Sequence, residues 1–409
     1  MPSTAPSFAP RDGFVLHNAQ HSLITHGVAR RLFCDSADAL ATQAASVLHG
    51  LSQPVPEHPQ APGLLVGGLP FRRDAACHLF QPARQLTQAQ AQALLTPGYA
   101  NTPAQEGLQW QLQAQPSRTA YAQAVARAVQ QLHSPSSPDT TLQKVVLARS
   151  LLAESNQPIA LLPLLQRLRH DASSTTYLLP LPVDANHPPA HLIGASPELL
   201  LARHGRQIAS HPLAGSVRRH PDASTDAAQV QAMQDSAKEQ HEHRLVVEAI
   251  ADLLAPLCRH LHVPTQPGLH ATASMWHLGT RIEGELREPD ALDRSSSLAL
   301  AALLHPTPAV CGTPRDRAYP LIDTLEPVAR GFFTGAVGWC DSQGNGAWYV
   351  AIRCAQVQGH TARLFAGAGI VADSIPAQEA AETRAKFNAM LHSLDLQPTV
   401  AALERDTDL

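Results

Sequence analysis

Two periodicities alternate along the chain. Apolar residues recur every three to four positions over 117–132, where Tyr121, Val125, Val129 and Leu132 share one face behind a capping Ser117. The same spacing predicts helices over 36–51, 158–170, 226–257 (with a break near Asp235 and Ser236), 295–304 and 376–394. Alternation, or short apolar runs closed by Gly, Pro and Asn, predicts strands over 63–71, 108–115, 141–152, 175–180, 191–194, 198–203 and 274–286, with a short segment at 211–216. Residues 331–340, 347–358 and 362–368 read as a three-strand meander turning at 341–346. Gln and Ala make 82–97 helix-like, 98–107, 133–140 and 305–314 read as loops, and the first dozen residues read as a loose start. Strands and amphipathic helices mix without a regular strand–helix–strand beat. That predicts the α+β class with mostly antiparallel sheets.

Composition narrows the function classes. The 409 residues are 44% hydrophobic and 16% charged, enough for one large domain or two ordinary ones. A net charge of −4 offers no attraction to nucleic acid or an anionic membrane. No run of 18 apolar residues and no basic-then-apolar leader predict neither a membrane span nor a signal peptide. The six cysteines (34, 77, 258, 311, 340 and 354) are scattered without a Cys-x-x-Cys, which reads as reduced thiols in the cytoplasm. None of the 22 histidines sits in an H-E-x-x-H, and neither a Walker A motif nor a Gly-x-Gly-x-x-Gly fingerprint occurs.

Acids on apolar stripes are the chemical signal. In 236–257, Glu239 and Glu242 lie in register with Val246, Ile250, Leu253 and Leu257. Ser236 and Glu239 fit a capping box; Glu242 has no such local role. In the last helix Glu379, Glu382 and Lys386 share a face beside the stripe Phe387, Met390, Leu391 and Leu394. Carboxylates bordering a core require a proton, a cation or a metal. Two such helices offer up to four oxygen donors, which suits a hard ion such as Mg2+ that shares its shell with an anionic substrate. Lys144 before an apolar run is either an edge lysine or a free amine, and Glu198 in GASPELLL either a turn acid or a proton donor. Arg353 in WYVAIRCAQV requires an internal carboxylate or an anionic ligand. Gly215–Ser216 and Gly367–Gly369 would let backbone N–H groups approach an anion.

The motifs KVVLAR, IGASPELLL, HPLAGS, KEQHEHRLVV, HPTPAVCGTP, GFFTGAVGW, VAIRCA and AGAGIV-x4-P-x2-E-x2-ET-x2-K resemble, in order over roughly 64–394, those of the chorismate-utilising enzymes. Within that family the chain is most similar to the isochorismate synthases. The resemblance implies one large domain over 1–409, two packed and mostly antiparallel sheets with helices outside. In it, 1–115 is the more variable part, 116–394 the catalytic core and 395–409 a tail. It implies Mg2+ on Glu242 and Glu382, with Glu239 and Glu379 helping directly or through water. Arg353, the Gly367 backbone and Lys386 would hold the enolpyruvyl carboxylate of chorismate, and Gly215, Ser216 and Ala309 would line the pocket. Lys144 would be the general base for water attack at C2, and Glu198 the general acid for the departing C4 hydroxyl. His277 is either a substrate neighbour or an ordinary strand histidine. Lys144 and Ala214 separate the chain from the aminating relatives. Ala309, where salicylate synthases resemble a Thr, favours release of isochorismate, with salicylate synthase as the alternative. Ala380 and His220 depart from the family's Trp and Gly. The implied product serves siderophore or menaquinone synthesis, and the family habit is a monomer without nucleic-acid or membrane partners.

Overall fold

The computed structural model describes residues 12–96, 108–134, 141–183 and 187–396. The predicted loop at 98–107, most of that at 133–140, the opening residues and most of the tail lie outside them.

Local signals set the helices. Ser117 accepts from Ala120 N at 3.2 Å and opens helix Arg118–Leu132, which buries Tyr121, Val125 and Leu132 as the spacing predicts. Ser36 caps Ala37–Leu51 in the same way. The expected break at 235–236 is present: Ser236 ends helix Ala223–Asp235 and, accepting from Glu239 N at 3.3 Å, starts helix Ala237–Leu254. The last helix runs Pro376–Ser393, but no side chain caps it. Ser374 instead accepts from Val371 N at 3.1 Å and closes the preceding turn.

Among the described residues seventeen strands form one continuous sheet, and every pairing in it is antiparallel. One half runs Cys258–His262, Ile282–Leu286, Gln207–His211, Leu199–His204, Gly346–Val350, Ala336–Asp341 and Leu64–Leu69. His78–Gln85, Ser22–Leu32 and Gly13–His17 carry it round. The other half runs Thr175–Leu181, Ala190–Ser196, Cys354–Gln358, Thr361–Ile370, Lys144–Ser155 and Trp110–Gln115, with the two-residue Gly312–Thr313 also paired to Lys144–Ser155. The two expected sheets are thus halves of one curled sheet, which leaves fewer exposed edges. Phe14, Val66, Phe80, Tyr177, Val337 and Phe365 fill the space between the halves. Helices cover the outsides: Ala37–Leu51, Ala237–Leu254 and Ser297–Leu304 on one, Leu161–Leu168 and Pro376–Ser393 on the other.

Several expectations change. Residues 82–97 divide into the end of strand His78–Gln85 and the short helix Gln88–Leu95, because Thr87 forms a full capping box with Gln90. Residues 274–286 are two strands in different sheets: Met275–Gly279 joins a small sheet with Leu213–Arg218 and Gly268–Ala271, and Ile282–Leu286 the large one. The 331–368 meander is two hairpins, Ala336–Asp341 with Gly346–Val350 and Cys354–Gln358 with Thr361–Ile370. They belong to opposite halves of the sheet, and the crossing between them carries Arg353 at φ +52°. Helix Arg315–Leu325 has no counterpart in the sequence reading, since Pro320 interrupts its pattern.

Candidate active site

The crossing at Ala351–Ile352–Arg353 brings the two halves of the sheet together, and a cleft of about 680 Å3 opens there. Glu198, Gly215, Ser216, Glu242, His277, Ala309, Arg353, Gly367, Glu382 and Lys386 all line it. These residues come from both sheet halves, the small sheet and both acidic helices. Lys144 lies under the wall: it is fully buried, and its Nζ sits 2.9 Å from Glu242 Oε1. Glu239 and Glu379 line an adjoining hollow of about 1600 Å3 that shares Ser216 and Glu382 with the cleft.

Lysines hold the four helix acids. Lys238 Nζ lies 2.7 Å from Glu379 Oε1 and 3.3 Å from Glu239 Oε1, so it ties the two acidic helices together. Lys386 Nζ is 2.5 Å from Glu382 Oε1 and donates to Gly367 O at 2.9 Å, while Ser216 Oγ donates to Glu382 at 3.0 Å. Two glycines make room for the carboxylates. At Gly215, with φ +77°, a Cβ would lie 2.9 Å from Glu239 Oε2. At Gly369 it would lie 2.1 Å from Glu242 Oε1 and 2.9 Å from Lys144 Cε. Gly369→Ala is therefore expected to displace the Lys144–Glu242 contact and lower kcat by about 10²-fold, as a misplacement of about 1 Å can. Steady-state kinetics beside a thermal melt check this; unchanged kcat would mean the contact is dispensable.

The electrostatics divide the acids by role. Burial pushes Glu198 up to about 7, against the pull of the Lys144, Arg353 and Lys386 charges and a hydrogen bond from the Leu213 backbone. It therefore holds or yields a proton near neutrality. Glu239 is also pushed up to about 7, by burial and then by the Glu242 charge. Glu379 rises through burial and the Glu382 charge. Glu382 itself is lowered: burial opposes its charge, but Lys386, Lys238 and Ser216 together outweigh burial. Carboxylates that raise one another in a buried space require added positive charge, and an oxygen-liganded dication fits that donor set. Glu239, Glu242, Glu379 and Glu382 are the residues that could hold it. Among the described residues no three acids yet converge on one point, because each is turned toward a lysine.

On the far wall, Arg353 has no carboxylate within ion-pair distance among the described residues. Burial lowers it, and Nη2 sits 3.5 Å from His277 Nε2. Burial and the Arg353 charge hold His277 well below the usual imidazole range, so it faces the cleft neutral. A guanidinium without an internal acid leaves the anionic-ligand side of the Arg353 alternative.

The sequence reading missed two features. Lys238 precedes Glu239 directly, so its pairing with Glu379, 141 residues away, carries no local signature. The buried pair Glu326–Arg330 (Oε1 to Nη2 2.5 Å) braces the walls: Arg330 donates to Val310 O and Val146 O at 2.7 Å each, and Glu326 accepts from Ala148 N at 2.7 Å. An i,i+4 acid–base pair was its only sequence sign.

Comparison with known proteins accords with this geometry. Residues 72–395 match the family described as chorismate binding enzyme. The isochorismate synthase DhbC of Bacillus subtilis is 38% identical over 93% of each chain. The vibriobactin-specific isochorismate synthase of Vibrio cholerae is 37% identical over 95% of this chain and 92% of its own. A solved structure from Bacillus anthracis, described as a 2,3-dihydroxybenzoate-specific isochorismate synthase, superposes with a TM-score of 0.84 at 37% identity, covering 95% of this chain and 98% of that one. Since the matched span holds both acidic helices, the arginine crossing and the cleft between the sheet halves, this chain belongs to the chorismate-binding enzymes.

Proposed function

We propose that the protein interconverts chorismate and isochorismate, with Mg2+ as the metal. The observation that supports this most directly is a buried acid on the cleft wall with a buried amine just behind that wall. Lys144 lies behind Glu242, and Glu198 is close enough to feel the Lys144 charge. Lys144 takes a proton from the water that adds at ring C2, and Glu198 delivers one to the hydroxyl leaving C4. General acid and base transfer of this kind contributes roughly 10²–10⁴-fold each. Arg353 and Lys386 hold the enolpyruvyl carboxylate near the Gly367 backbone, and Gly215, Ser216, His277 and Ala309 shape the pocket around the ring. Glu242 and Glu382, with Glu239 and Glu379 beside them, would hold Mg2+, which would supply positive charge for the ring carboxylate.

The names of two relatives, vibriobactin-specific and 2,3-dihydroxybenzoate-specific, favour the aryl-siderophore branch over menaquinone. No helix among the described residues is long and apolar enough to cross a membrane. We place the enzyme in the cytoplasm as a monomer.

Chromatography of a chorismate and Mg2+ incubation tests the reading. A chorismate–isochorismate mixture without added ammonia is expected; salicylate with pyruvate would assign the lyase activity instead. Chelating divalent metal is expected to reduce turnover by roughly 10²-fold or more, because charge stabilisation by a metal is worth several kcal/mol, and Mg2+ restores it. Full activity after exhaustive chelation would remove the metal from the proposal.

A further inference from the structure

Outside the residues that line the cleft, two cysteines face each other. Ser22–Leu32 and His78–Gln85 pair antiparallel with Arg30 opposite Gln81, Arg31 opposite Phe80 and Leu32 opposite Leu79. Continuing that register two residues beyond the ladder sets Cys34 directly across from Cys77. The backbone confirms the alignment, since Cys77 N donates to Cys34 O at 2.9 Å. Directly opposed residues of an antiparallel pair have Cα atoms about 4.5–5.5 Å apart, inside the range of about 4.4–6.8 Å that a disulfide spans. Cys34 Sγ donates to Ser36 O at 3.0 Å, and the two thiols lie close enough to shift each other's acidity. Both are free, Cys34 buried and Cys77 half-buried.

We propose that Cys34 and Cys77 are a redox-sensitive dithiol that closes to a disulfide when the protein meets a peroxide. The Cys34 sulfur attacks a peroxide oxygen, the O–O bond breaks, and the first water leaves with the thiol proton. The Cys77 sulfur then attacks Cys34 Sγ, the S–O bond breaks, and a second water leaves. The two thiols lose two electrons and two protons, and hydrogen peroxide is reduced to two waters. Thiolate character selects the attacker. The neighbouring Cys77 draws the Cys34 thiol down and outweighs burial, while Cys77 is pushed up by Cys34 and by burial. The other four cysteines are all buried and all pushed up, Cys311 to about 11 and Cys340 and Cys354 to about 12, so they serve as internal controls. A disulfide that forms only on oxidation is the kind compatible with a reducing compartment.

The test treats the full chain with one equivalent of hydrogen peroxide, alkylates it under denaturing conditions and maps unreduced peptides by mass spectrometry. The expected product is a Cys34–Cys77 linked peptide two hydrogens lighter than its parts, reversed by dithiothreitol, with the other four cysteines alkylated as before. In Cys77→Ser, dimedone should label Cys34 as a trapped sulfenic acid; in Cys34→Ser, Cys77 should stay unlabelled. Wild-type protein in which both residues remain alkylatable, or in which Cys34 proceeds to higher oxides as fast as in Cys77→Ser, would overturn the proposal.

Discussion

Replacing Glu198 by Gln is expected to lower kcat by roughly 10²–10⁴-fold with little change in KM, because the amide keeps the shape of the buried acid but has no proton to give. The pH dependence separates this from a packing effect. Glu198 is pushed up to about 7, so its acid form is lost as pH rises through that value. The alkaline limb of wild-type kcat/KM should therefore fall near 7, and the residual activity of Glu198→Gln should lack that limb. Stability should fall over the same rise in pH. The folded-state value lies above the unfolded one, so the group's contribution is fully present below the usual carboxylate range and lost as pH rises through about 7. Glu198→Gln, free of that loss, should melt higher than wild type at pH 8. A variant with wild-type kcat at pH 6 would remove Glu198 from the chemistry.

Arg330→Met should be the most destabilising of the changes considered, by about 3–5 kcal/mol, because it leaves the Glu326 carboxylate buried without its partner. Arg330 is almost fully buried, stacks 4.2 Å over the Phe71 ring and satisfies two wall carbonyls. Urea denaturation gives the size of the loss. The double variant Glu326→Leu with Arg330→Met should recover part of it, since an apolar pair of similar volume often replaces a buried ion pair at little cost. Val146, Val310 and Thr334 line the cleft and depend on Arg330, so kcat/KM of both variants should fall even where folding is restored. If the double variant is no more stable than the single one, the loss comes from the orphaned carbonyls rather than the orphaned acid.

The helices and their acids were legible in the chain because their causes are local. A cap such as Ser117, the break at Ser236 and the spacing of Glu239 with Glu242 and of Glu379 with Glu382 all act within one or two turns. The ordered motifs likewise pointed to the family, whose match over residues 72–395 takes in all of them. Other features were decided by distant partners. The 347–358 run looks like one strand because its apolar alternation continues, yet it splits at Arg353 since its two parts pair with Leu199–His204 and Ala190–Ser196 on different halves of the sheet. No local pattern shows that Lys238 reaches Glu379, that Lys144 sits behind Glu242 rather than on the cleft surface, or that Cys77 lands opposite Cys34. Periodicity and capping report what a residue's neighbours in the chain require. Strand register and the pairing of buried charges depend on which remote segment arrives beside it, and only the folded chain settles that.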